Sequence, residues 1–181
     1  WHLLSLFHLL FLFLYYTLSL SFQQQRGKRL PLFLHQAALL EFCWSYVDDR
    51  TARLKKQGDE LRESLGSETK SSAGDKHETG RAMVQLEQEK LGQQLLELDA
   101  TRSILNKINI DKLSAKICLG SLVKTSVADY FIAISAGAFK YTDGVVYCIS
   151  ANAPIARLLL GKEKGENFVF NGNAQSILEV I

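Results

Sequence analysis

The sequence is poor in the residues from which most enzymes build a site. It has three cysteines (Cys43, Cys118 and Cys148) and four histidines, of which only His77 lies beyond residue 35. The cysteines are far apart and lack C-x-x-C spacing, which argues against a disulfide framework and against a zinc site. Each is flanked by apolar residues, so all three are expected as buried free thiols in a reducing, cytoplasmic compartment. A basic surplus is missing as well. Lysine and arginine number 21 against 19 acids; residues 1–35 hold three basic residues and no acid, residues 36–112 twelve and fourteen, and residues 113–181 six and five. No segment after residue 35 has the positive excess that binds phosphate backbones. Nucleic acid is therefore expected to be reached only indirectly, through a partner protein.

Charge is absent altogether from residues 1–22, WHLLSLFHLLFLFLYYTLSLSF. The run is long enough to cross a bilayer, and the basic QQQRGKR after it would hold the remainder on the cytoplasmic side. A cleaved signal peptide fits poorly, because no basic n-region precedes the run and no small-x-small site follows it. A third reading is low-complexity sequence, rich in Leu, Phe and Ser, translated from upstream of a true start. The chain opens on Trp1 and its one methionine is Met83. A membrane is a partner only if this segment is genuine. Residues 1–35 are treated as an apolar N-terminal extension and kept out of the fold argument.

Beyond it, two helical periods are present. From Gln36 to Leu65 the apolar positions Leu40, Cys43, Val47, Leu54, Leu61 and Leu65 recur every three or four residues, one stripe of an amphipathic helix. The stretch GSETKSSAG breaks the pattern. Val84, Leu91, Leu98 and Leu105 then follow at intervals of seven, with Leu95 and Ile108 beside them. Two such arms of about 30 residues predict an antiparallel helical hairpin reaching about 45 Å. Residues 36–112 are assigned to this hairpin.

After Asp111 the period changes to two. KICLGSLVKT, DYFIAIS and GVVYCIS read as strands, with Asp143-Gly144 as a hairpin turn. Pro154 opens a short helix, PIARLLL, that Gly161 ends. ENFVFNG and AQSILEVI read as closing strands around an Asn171-Gly172 turn. Residues 113–181 thus predict a small antiparallel β domain, and the chain as a whole is α+β.

The residues most open to a chemical role are Asp75 and Glu78 in SSAGDKHETG, between the two arms. Asp at an N-cap with Glu at the third helical position makes a capping box, which satisfies orphan backbone N–H groups. Mg²⁺ takes six oxygens, so two carboxylates on an exposed tip hold it only weakly and make sense as ligands completing a site elsewhere. The two roles are compatible. His77 between them reads as a solvated side chain. Ser71 and Ser72 lack the His and Asp of a nucleophilic triad, and Gly161, Gly165 and Gly172 do not form a phosphate-binding fingerprint. No enzyme constellation is present.

A helical hairpin with an acidic tip, followed by a small β domain, resembles the bacterial Gre transcript-cleavage factors. The family's tip carries Gly-Asp-x-x-Glu-Asn-Ala, then an acid and Tyr; Gly74, Asp75 and Glu78 match it. The family's Ser-Pro-Leu/Ile-Gly, Leu-Leu-Gly-Lys and Gly-Asp elements have counterparts in SANAPIARLLLGKEKGENFVF, at Ser150, Pro154, Ile155, Leu159, Leu160, Gly161, Lys162, Gly165 and Glu166. ILEVI at the end matches the usual closing strand. The resemblance covers residues 36–181 and is most specific in the last 35. It departs at Thr79, Gly80, Arg81 and Ala82, where the family has Asn-Ala-acid-Tyr, and at Ser150, which is not adjacent to Pro154.

The resemblance implies an FKBP-like C-terminal domain that docks on RNA polymerase at its secondary channel, through Pro154, Ile155, Leu159, Gly161, Lys162 and Gly165. It implies that Asp75 and Glu78 enter the channel and help hold a second Mg²⁺, shared with the polymerase, which itself cleaves a backtracked transcript. The protein would have no catalysis or cofactor of its own. The loss of an acid and the gain of Arg81 leave open a channel-binding inhibitor or modulator. A nucleoside diphosphate kinase regulator-like protein has a similar closing domain but a shorter helical part. Prolyl isomerase activity would follow only from the fold, and fold does not transfer function. A fatty-acid condensing enzyme needs a Cys with two His, which the chain beyond residue 35 lacks. A structural coiled-coil adaptor is the remaining alternative.

Overall fold

The computed structural model of the protein describes residues 35–64, 74–112, 114–141 and 144–181, without the side chains of 74–79 and 81. The readings made for the N-terminal extension, for most of the segment joining the two arms and for Asp143 lie outside the described residues. Helix α1 covers residues 35–64 and helix α2 Gly74–Leu105. Six strands follow: β1 (Leu122–Thr125), β2 (Asp129–Ala133), β3 (Gly137–Tyr141), β4 (Gly144–Ser150), β5 (Asn167–Phe170) and β6 (Asn173–Val180). The short helix α3, Pro154–Leu159, lies between β4 and β5. The protein is α+β.

The two long helices run antiparallel. Asp48 accepts a hydrogen bond from Arg102, and nearer the far end Gln57, Glu60 and Ser64 line a surface recess with Glu87 and Leu91. The expected seam is where the burial is. Cys43, Val47 and Leu54 of α1 and Leu91, Leu98 and Leu105 of α2 are buried, with Leu61, Leu95 and Ile108 partly so. At the base Leu39, not Leu40, takes the innermost position. The row 39–43–47, at helical spacing of four, turns toward the sheet as well as toward α2.

The sheet has the order β3-β4-β2-β1-β6-β5. It is mixed, which corrects the expected antiparallel β domain: β2 and β4 pair in parallel, Phe131 opposite Cys148, while every other neighbouring pair is antiparallel. The cause lies in the short connection Ile134–Ala136. It carries the chain past one strand position, so β3 runs antiparallel to β2 with a slot between them. β4 then fills that slot and necessarily runs parallel to β2. The β3 strand itself, GAFKY, is too weakly alternating to stand out in the sequence. β1 is also shorter than KICLGSLVKT suggests, because Gly120 bends the chain at φ 92°. That position needs glycine twice over, since a Cβ there would lie 2.9 Å from Ile108 Cγ2.

One face of the sheet meets the helices and the other meets α3. Leu122, Phe131, Ala133, Val146 and Cys148 share a core with Leu39, Cys43, Val47 and Leu105. Phe42 of α1 packs on Phe139 of β3 with ring centroids 5.3 Å apart. On the opposite face Ile155, Ala156 and Leu159 of α3 cover Ile117, Val123, Ile132, Phe168 and Ile177. Gln36 fastens the start of α1. Its buried side-chain amide donates to Gly120 O at 3.3 Å and Ile181 O at 2.9 Å. At the opposite end of the chain, Asn171 and Gly172 form the predicted β5–β6 turn with φ 51° and 79°.

The thiols divide two to one. Cys43 and Cys148 are buried and face each other across the helix–sheet interface, but Cys118 is exposed, contrary to expectation. Ile117 takes the inward position of that extended segment, so its neighbour points outward. The hydrogen bond with Cys43, together with burial, pushes the Cys148 thiol up. A thiol-reactive disulfide reagent added to the native protein is expected to modify Cys118 rapidly, and the other two only after denaturation. Rapid reaction of two or three thiols in the folded protein would contradict the packing.

Gly58 and Gly92 face one recess of about 440 Å³ between the helices, lined by Leu54, Leu91 and Leu95. Neither has a positive φ, and a Cβ at either position would meet nothing within 4 Å. Gly58→Ala and Gly92→Ala are therefore each expected to stabilise the fold by about 1 kcal/mol, read as a raised urea midpoint.

Candidate functional site

Asp75 and Glu78 are the second and fifth residues of α2. Asp75 thus stands one residue inside the helix rather than at its N-cap. Three residues apart on a helix, the two positions share a face. Leu105, at the other end of α2, is buried against the sheet. The thirty residues between Asp75 and Leu105 rise about 45 Å. The two acids therefore stand at the end of α2 remote from the sheet. Among the described residues no cluster of His, Cys, Asp and Glu could hold a metal ion. Asp75 and Glu78 fit Mg²⁺ only as two of its ligands, with oxygens from elsewhere completing the shell.

Pro154, Ile155, Leu159, Gly161, Lys162 and Gly165 come together around α3, and their roles there are structural. Ala153 is extended (φ −61°, ψ 144°) and Pro154 opens the helix, where its fixed φ fits and its missing N–H is no loss. Gly161 leaves the helix at φ 80°, and its N–H donates to Ile117 O at 2.9 Å. Ile117 N–H in turn donates to Lys162 O at 2.9 Å, which closes a two-way clasp with the segment before β1. Gly165 N–H donates to Ile177 O at 2.8 Å. Glu166 completes the loop, accepting from Glu163 N–H at 2.6 Å and from Lys162 Nζ at 3.3 Å. Those bonds hold its carboxyl below the usual range, the Glu163 N–H first.

Two of the expected docking residues need correction. Ile155 is 6% exposed and Leu159 not at all, because they form the inner face of α3, so neither is available to a partner. The outward positions of the same segment are Arg157, Leu158 and Leu160. Leu158 and Leu160 were missed as surface candidates, because PIARLLL alone does not say which leucines face the sheet. Met83 and Leu86 on α2 are likewise large, apolar and mostly exposed.

The sheet also holds a row of charges near the start of α1. Lys124 of β1 lies opposite Asp129 of β2 on one side and Glu179 of β6 on the other. Its Nζ is 3.1 Å from Glu179 Oε2. Burial pushes the Asp129 carboxyl up, against the pull of Lys124, and the charge of Glu179 pushes the same way as burial. A raised folded-state value means that protonation favours the fold. Stability from this group is fully present below the ordinary Asp value, about 3.9, and is lost as pH rises through the folded value. Asp129→Asn is expected to be at least as stable as the parent at pH 7, with its advantage shrinking toward pH 4. Urea midpoints across that range test it, and a variant that is weaker at pH 7 and converges in acid would reverse the sign.

No family model matches the sequence, and no curated protein does. Among solved structures, the crystal structure of Thermus aquaticus Gfh1 is similar at 19% identity, covering 71% of this chain and 92% of that one, with a TM-score of 0.29. A likeness of that size carries no argument for fold or function. No described helix is long and apolar enough to cross a membrane.

Proposed function

We propose that the protein is a Gre-like regulator of transcription elongation that binds RNA polymerase at its secondary channel. The observation that carries this reading is the placement of Asp75 and Glu78, about 45 Å along α2 from the sheet-packed Leu105. A narrow antiparallel helix pair ending in two acids suits entry into a deep channel, and the α3 segment supplies a broad end that stays outside. Helices of this length, 30 residues in 35–64 and 32 in α2, also weigh against a kinase-regulator-like protein with a short helical part.

In this reading Asp75 and Glu78 would hold a second Mg²⁺ jointly with the polymerase. Bound there, the ion would supply Lewis-acid activation of a water. The protein's own residues place negative charge and do not carry out the cleavage. FKBP-like docking would use Arg157, Leu158, Leu160 and Lys162, the outward positions around the buried Ile155 and Leu159. Exposed Met83 and Leu86 provide apolar contact for the channel wall. The protein would work in the cytoplasm, where its polymerase is. A second reading, a channel-binding modulator without cleavage, is favoured by Arg81, a basic residue where the family has an acid.

The test adds the 181-residue chain to backtracked RNA polymerase complexes with Mg²⁺ and follows transcript length. Asp75→Asn and Glu78→Gln keep side-chain shape while removing charge. Transcripts shortened by the parent and by neither variant would support the metal-assisting tip. Polymerase binding without shortening, equal in parent and variants, would favour the modulator. Absence of binding would overturn the family reading.

A further inference from the structure

A half-open cavity of about 290 Å³ lies where α1, α2 and the sheet meet. That is just below the size range of drug-sized ligand sites, roughly 300–1,000 Å³. Its apolar lining comes from Leu98 and Ile104 of α2 and from Ile134, just after β2; Leu98 and Ile134 are buried. Its polar lining includes one cation and one carboxylate, Arg50 of α1 and Glu97 of α2. Arg50 donates to Tyr46 Oη at 3.2 Å, and neither Arg50 nor Glu97 forms an ion pair among the described residues. By contrast Asp48 and Arg102, elsewhere between the same two helices, do meet. Opposite charges thus border one cavity without neutralising each other.

The ligand that fits this pattern has to carry both charges close together. A phosphate or simple carboxylate would satisfy Arg50 and face Glu97, while an amine would do the reverse. A neutral molecule would use neither. A nucleotide brings more negative charge than one arginine matches, and more bulk than the cavity holds. We propose that this cavity binds an apolar α-amino acid as its zwitterion. The carboxylate lies toward Arg50, the ammonium toward Glu97, and the side chain against Leu98, Ile104 and Ile134. Charge-assisted hydrogen bonds at the two ends set orientation, and the apolar wall selects leucine-like side chains over charged ones. Hydroxyls on the rim support the ends. Thr101 Oγ1 donates to Glu97 O at 2.8 Å and keeps lone pairs for the ammonium. Ser135 Oγ accepts from Ser150 N–H at 3.4 Å and keeps its own proton for the carboxylate. The site is independent of the polymerase reading, since none of its residues belongs to the tip or to the α3 segment.

Isothermal titration of the 181-residue chain with L-leucine tests this. A dissociation constant of about 0.1–1 mM is expected, with N-acetyl-leucine and leucinamide each weaker by about tenfold or more. Arg50→Gln and Glu97→Gln, both at exposed positions, should each weaken leucine by about tenfold while leaving the circular dichroism unchanged. Glu97→Gln should also abolish the preference for leucine over 4-methylpentanoate, which lacks the ammonium; loss of structure alone would not produce that change. No binding heat up to about 20 mM leucine would overturn the proposal. So would blocked analogues that bind as well as leucine, or leucine binding that neither variant alters.

Discussion

The contact between the base of α1 and the sheet sets where everything beyond it can be. Leu39, Cys43 and Val47 are buried at this junction, with Phe131 and Cys148 in the same core. Helices of this kind are marginal alone, and a narrow apolar stripe adds little. Packed on a rigid sheet, the same stripe acquires a fixed direction. Gln36 makes that direction specific, because its amide has to reach Gly120 O and Ile181 O at once. A helix sliding by one residue would lose both bonds and leave the buried Gly120 O without that partner, at about 1–3 kcal/mol, while Ile181 O would keep the Leu122 N–H.

Burial fades along the helices from this base. On α2, Leu105 is buried against the sheet, Leu98 and Leu91 in the seam, and Val84 only partly. Surface pairs such as Lys56–Glu60 at 3.8 Å and Lys90–Glu87 at 3.5 Å contribute a few tenths of a kcal/mol at most. Gly58 and Gly92 weaken the middle of the seam further. The order of local opening therefore runs inward from the far end. A projection built this way is held firmly at its root and loosely toward α2's first turn.

Much of this was legible in the residues. The heptad spacing of Leu91, Leu98 and Leu105 identified the seam because an apolar residue at every second turn marks one continuous buried face. The Asn171-Gly172 turn and the Pro154 helix start were legible because those residues suit backbone states that few others do. What escaped depended on long-range geometry. Nothing local in Ile134–Ala136 says that the chain skips a strand position, so the parallel β2–β4 pair could not be read. The outward turn of Cys118 and the inward turn of Leu159 follow from which face the core occupies, a fact set by residues far away in sequence. The row Glu179–Lys124–Asp129 and the Arg50–Glu97 cavity join side chains from segments with no common motif.

The same distinction bears on how a family likeness should be weighed. Pro154, Gly161, Gly165 and Glu166 start a helix, end it, tie a loop to Ile177 and brace that loop, while Ile155 and Leu159 fill the core. Each is accounted for by folding alone. A resemblance carried by such residues transfers an architecture, because any protein with this α3 loop needs the same turns and the same inward leucine. Function has to be argued from residues that folding does not require. Here those are Leu158 and Leu160, exposed beside α3, Met83 and Leu86 on α2, and the two acids at its remote end. Asp75 and Glu78, the second and fifth residues of α2, are neither of them its N-cap, so capping does not account for the pair.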